Sequence, residues 1–74
     1  MSVSEKVKGM LALTGKKQLE LAEEFEMSKQ TMSNKMARGS WSASDLARAA
    51  RFCGCSLAII LPDGQHLVIE PEAK

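Results

Sequence analysis

The sequence predicts a mainly α domain that ends in a β-hairpin. Three observations predict it. Apolar residues recur at helical spacing in four successive stretches as far as Cys53, each set off by capping or stopping residues. The period then changes to two short runs rich in aliphatic and β-branched residues, and Pro62-Asp63-Gly64 lies between those runs as a turn. At 74 residues there is room for one domain and one core, so the whole chain, 1–74, is expected to fold as a unit.

Ser2 with Glu5 has the spacing of a capping box, and Val3, Val7, Met10 and Leu11 follow on one stripe. These predict a first helix over about 3–13, closed by Thr14-Gly15. A second helix is expected over about 17–25, with Leu19, Ala22 and Phe25 inward, Leu21 flanking, and Glu20, Glu23 and Glu24 outward. Ser28 is a natural N-cap for a third helix over about 29–37, and Gly39 stops it. The second and third helices must therefore meet in a sharp turn. Ser42 to Asp45 begins a fourth helix over about 43–53, whose Leu46, Ala50 and Cys53 face inward and whose Ala43, Ala47, Ala49 and Ala50 permit close packing. Strands follow over about 57–61 and 66–70; Pro62 and Gly64 argue against the competing fifth helix.

Both faces of this hairpin are apolar, and a two-stranded sheet cannot cover a second face by itself. The expected partner is a second copy, held through Leu57, Ile59, Ile60, Leu61, Leu67, Val68 and Ile69. A dimer also enlarges a core that is small for independent stability.

The net charge of +1 says little, but its distribution is uneven. From Met27 to Arg51, the bases Lys29, Lys35, Arg38, Arg48 and Arg51 stand against Asp45, or 5 − 1 = +4. From Phe52 onward Lys74 stands against Asp63, Glu70 and Glu72, or 1 − 3 = −2. A basic middle of this kind attracts a polyanion locally. No apolar run approaches the roughly 18 residues of a membrane span. With no secretory signal in view, a soluble cytoplasmic protein is expected. Cys53 and Cys55, one residue apart, would close only a small strained ring, and they read as a core thiol and a loop thiol. No metal site, cofactor or small-molecule ligand is expected, since zinc needs four ligands and no second pair exists. His66 has neither nucleophile nor ligand partner beside it, so no enzyme is expected. The methionines read as an adaptable core. Trp41 either seals the core beneath the loop after the third helix or offers its indole N–H to a phosphate.

The third helix carries the chemistry. At 100° per residue Met32 and Met36 share one side, while Gln30, Asn34, Ala37 and Arg38 fall opposite. Amides and a guanidinium are the groups that match the donors and acceptors on base edges in the DNA major groove. Thr31, Ser33 and Lys35 lie at the sides, where phosphates would pass. The span from Gln18 to Gly39 resembles the helix-turn-helix of the Cro/C1 (XRE) family of phage and bacterial repressors. Gln18, Leu21-Ala22, Met27-Ser28, Met32-Ser33 and Gly39 fall at the matching positions. The resemblance extends over roughly 3–57 and implies a lambda-repressor-like four-helix domain.

It further implies a sequence-specific regulator of transcription that binds double-stranded DNA. The expected form is a homodimer on a pseudo-palindromic operator. Lys29, Gln30 and Asn34 would read bases, while Lys17, Gln18, Thr31, Ser33, Lys35, Arg38 and Ser40 would meet the backbone. Glu26 stands where the family often has Gly, and Lys17 where a Ser or Thr cap is usual. The alternative is an antitoxin-like interaction module whose polar helix contacts protein.

Overall fold

A computed structural model describes residues 2–71. Glu72 and Lys74, counted in the acidic C-terminal stretch, lie outside the described residues. Four helices, α1 (Val3–Leu13), α2 (Gln18–Glu24), α3 (Lys29–Arg38) and α4 (Ala43–Phe52), are followed by β1 (Leu57–Ile60) and β2 (His66–Ile69). This is the mainly α architecture with a C-terminal hairpin that the sequence predicts.

Each helix begins where a side chain can satisfy its free amides. The Ser2–Glu5 capping box is complete, with Ser2 N–H donating to Glu5 Oε1 at 3.0 Å and Glu5 N–H to Ser2 Oγ at 3.2 Å. Ser28 Oγ accepts from Thr31 N–H and Ser42 Oγ from Asp45 N–H. At α2 only half a box forms. Glu20 Oε1 accepts from Lys17 N–H at 2.8 Å, and the Lys17 ammonium has no lone pair with which to reciprocate.

The core is built from Val7 and Leu11 of α1, Leu21, Ala22 and Phe25 of the second helix, Met32 and Met36 of α3, and Ala49 and Cys53 of the fourth. Cys53 is a buried thiol and Cys55 an exposed one. Leu19 departs from expectation: it is 51% exposed, while Leu21 is fully enclosed. The inward stripe is Leu21, Ala22 and Phe25, because the sharp turn into α3 draws the C-terminal half of this short helix inward rather than its first turn.

β1 and β2 pair antiparallel, Leu57 with Ile69 and Ile59 with Leu67 on one face, Ala58 with Val68 and Ile60 with His66 on the other. A five-residue connection, 61–65, joins them: Gly64 N–H donates to Leu61 C=O at 2.9 Å, and Leu61 N–H to Gln65 C=O at 2.8 Å. Leu57, Ala58, Leu61 and Ile69 are half-buried, whereas Ile59, Ile60, Leu67 and Val68 are exposed. The base of the hairpin rests on α4 and its middle stands free.

The turn between α2 and α3 depends on Glu26. Met27 N–H donates to Ala22 C=O at 2.9 Å and Glu26 N–H to Glu23 C=O at 3.0 Å, the paired bonds of a Schellman motif. α1 and α4 end in the same way, with Gly15 and Gly54 at the corresponding left-handed position. At α2 that position holds Glu26, at φ 57°, the one non-glycine residue with positive φ among the described residues. A Cβ in that conformation costs about 1 kcal/mol. Glu26→Gly is therefore expected to raise stability by up to about 1 kcal/mol, or several degrees in Tm. Thermal unfolding followed by circular dichroism checks this; an unchanged or lower midpoint contradicts the assignment of strain.

Candidate nucleic-acid interface

α3 is short and polar, and its seating fixes what it shows to solvent. Met32 and Met36 are buried against the body of the domain. Lys29, Gln30, Thr31, Asn34, Ala37 and Arg38 are exposed, Ser33 is half-buried, and no acidic residue lies on the helix. Gln30, Asn34 and Arg38 thus form a column along the outer face. Gln30 Nε2 donates to Asn34 Oδ1 at 3.1 Å, which aligns the two amides and leaves donors and acceptors of both turned outward. Ser28 Oγ donates to Thr31 Oγ1 at 2.8 Å, so the Thr31 hydroxyl keeps its own proton for an outside acceptor. Gln18 and Lys29 come together across the mouth of the turn, where with Leu19, Ala22 and Met32 they line a cleft of about 270 Å³. Lys17 and Ser40 are exposed beside these elements.

Lys35 departs from the expected phosphate contact, since its side chain is only 11% exposed. Its Nζ donates to Asp45 Oδ2 at 2.8 Å and to Ser40 C=O at 2.6 Å, and lies 4.8 Å from the centre of the Trp41 ring. The cause is angular. Three residues along a helix is about 60° short of a full turn, so Lys35 follows the Met32 side into the interior.

Trp41 seals the core. Its Nε1–H donates to the buried Ser4 Oγ at 3.1 Å, and its ring meets Phe25 edge-on at 6.2 Å. Sequence reasoning assigns no structural role to Ser4 or Arg48. Ser4 lies one position after Val3 and three before Val7, a place on the stripe that periodicity assigns to an apolar side chain. Arg48 Nη2 donates to Glu24 C=O at 2.6 Å and its guanidinium lies 4.8 Å over Phe25. An arginine beside the alanine face of its helix is the available signal.

The basic middle is accordingly thinner than the sequence count suggests. Lys35 pairs with Asp45, Arg48 with Glu24 and Arg51 with Glu70. Lys17, Lys29 and Arg38 form no ion pair among the described residues. Glu24 is turned toward α4 through Arg48, and Glu20 is held at its own helix start. Near α3, the positive charge outside ion pairs is therefore Lys17, Lys29 and Arg38.

Burial works to raise the Asp45 carboxyl, but the hydrogen bond and charge of Lys35, with hydrogen bonds from Ser42, outweigh it and hold the group below its ordinary value of 3.8. A lowered carboxyl pKa contributes stability that is present above the unfolded value and lost as pH falls through the folded one. Asp45→Asn should remove that acid-sensitive component and, by leaving Lys35 without its counter-charge, cost about 2 kcal/mol at neutral pH. Urea unfolding at pH 7 and below pH 4 checks both: the gap between wild type and variant narrows in acid, and a constant gap contradicts the pairing.

The comparisons with known proteins agree with this geometry. The family model described as the bacteriophage CI repressor helix-turn-helix domain matches residues 7–65, which takes in most of α1, all of α2, α3, α4 and β1, and the hairpin turn. No curated protein and no solved structure matches the chain. No helix among the described residues is long and apolar enough to cross a membrane. A polar third helix seated on methionines behind a capped turn, within a matched span of that extent, makes this chain a member of the bacteriophage CI repressor helix-turn-helix family, a family of DNA-binding transcriptional repressors.

Proposed function

We propose that the protein represses transcription as a homodimer, with α3 of each copy in the major groove at one half of a pseudo-palindromic operator. The observation that carries this reading is the outer column of α3, in which Gln30 and Asn34 are already aligned by their mutual hydrogen bond. An amide that presents a donor beside an acceptor matches N7 and N6 of adenine, and Lys29 and Arg38 suit guanine or phosphate. Lys29, Gln30 and Asn34 are the base readers. Lys17, Gln18, Thr31, Ser33, Arg38 and Ser40 meet the sugar-phosphate backbone and fix the register. Lys35 acts from inside, holding α3 in place.

Dimerisation follows from the hairpin. Ile59 and Leu67 on one face of the hairpin and Ile60 and Val68 on the other leave exposed apolar surface on a small domain. A second copy covers it and sets two reading helices about 34 Å apart, one turn of duplex.

Selection from random duplexes tests the reading: a palindrome with half-sites one turn apart is expected, and no enrichment would instead favour a protein-contacting role for the same helix. On the recovered site, Gln30→Ala and Asn34→Ala should each cost roughly 1–3 kcal/mol and relax base choice at one position. Arg38→Ala should weaken matched and scrambled DNA alike and reduce the salt slope by about one unit. Equal losses on both duplexes for all three variants would overturn the division of roles.

A further inference from the structure

A second apolar feature lies away from α3. Lys6, Gly9, Met10 and Leu13 of α1, with Cys55, line an open groove of about 730 Å³. Leu13 is 90% exposed on its rim. Gly9 sits in the middle of an 11-residue helix, where glycine costs about 1 kcal/mol relative to alanine. Nothing within the described residues calls for it. Its φ is not positive, and a Cβ placed there would meet no atom within 4 Å. A glycine that is needed neither by the backbone nor by its own packing keeps the floor of the groove open to something from outside.

We infer that this groove is the seat of the hairpin of a second copy, so that each subunit inserts its hairpin against α1 of the other. This rests on the dimer reading above and gives it a geometry. The exposed apolar side chains of the hairpin lie on both of its faces: Ile59 and Leu67 on one, Ile60 and Val68 on the other. Pairing two hairpins face to face covers one set and leaves the other in water. Four half-exposed aliphatic side chains also fall short of the roughly 800 Å² per partner that a stable interface covers. Seating the free face in the groove supplies the remainder.

The placement is self-complementary. Cys55 lines the groove and lies two residues before β1, so protrusion and receptor adjoin on one surface and a two-fold axis brings them together twice. Charge is complementary as well. Residues 2–16 carry Lys6, Lys8 and Lys16 against Glu5, which also lines the groove, or 3 − 1 = +2, while on the hairpin Asp63 forms no ion pair among the described residues and Glu70 is already paired with Arg51.

Disulfide trapping in the full chain, in a Cys55→Ser background, tests this. Leu13→Cys and Ile60→Cys proteins are mixed, allowed to exchange and oxidised, with Leu67→Cys as a second hairpin probe, and the mass of each dimer is read beside sedimentation of the unoxidised proteins. Mixed dimers that join the Leu13→Cys protein to either hairpin variant, in excess of every self-linked form, are expected. Gly9→Leu, which fills the groove while favouring the helix, should weaken self-association at least tenfold with helical content retained. A dimer by sedimentation that gives no mixed product, or that Gly9→Leu leaves intact, overturns the groove assignment and leaves the dimer standing. A monomer at all concentrations overturns both.

Discussion

A buried ammonium must be neutralised, and the seating of the polar third helix depends on how this chain neutralises Lys35. Its partners come from three places: Asp45 in the first turn of α4, the Ser40 carbonyl in the loop, and the face of Trp41. Trp41 in turn reaches Ser4 on α1 and Phe25 at the end of α2, and Phe25 carries the guanidinium of Arg48 from α4. One contiguous set of contacts therefore ties α3 to each of the other helices. Met32 and Met36 supply apolar burial beneath it, but methionine is flexible and specifies orientation poorly. The directed bonds of Lys35 fix rotation about the helix axis, and that rotation decides that Gln30, Asn34 and Arg38 face outward together.

This division of labour explains a charge distribution that is otherwise puzzling in a DNA-binding domain. Net charge is +1, and most of the bases in the middle of the chain hold acids of the same chain rather than standing free. Around α3 the positive charge outside ion pairs sits on Lys17, Lys29 and Arg38. A thin electrostatic footprint gives weak attachment to arbitrary duplex and leaves a larger share of the affinity to base contacts and, in the proposed dimer, to the second copy. The Glu26 turn fits the same picture: the chain tolerates a strained non-glycine residue because the hydrogen bonds of the motif and the packing on either side determine the conformation.

Much of this is legible in the sequence. Ser2, Ser28 and Ser42 mark helix starts, because their short hydroxyls have one favoured use at such positions, and the change of period at Leu57 marks the hairpin. The outer column of α3 is legible because Met32 and Met36 are the only large apolar residues on it and fix its inward side by subtraction. The side chains that sequence reasoning misplaces on α3 and α4 share one cause. Lys35 and Arg48 are long side chains that charge alone assigns to solvent, yet their stems follow the apolar side and their heads find partners distant in sequence. Leu19 and Leu21 lie two positions apart on a helix too short for periodicity to choose between them; the tertiary turn chooses. Trp41 is ambiguous in the sequence because its partner, Ser4, lies 37 residues away.

In the proposed complex the outer column of α3 meets DNA while Lys35 and Trp41 remain occupied within the protein. Titrating the isotope-labelled protein with a duplex recovered by selection, and following side-chain NH₂, indole and backbone amide resonances, tests it most directly. Large shifts are expected at the Gln30 and Asn34 amides and along the backbone of α3, with the Trp41 indole little changed. Shifts centred on the acidic side of α2 or on the hairpin, with the Gln30 and Asn34 side chains silent, would contradict it.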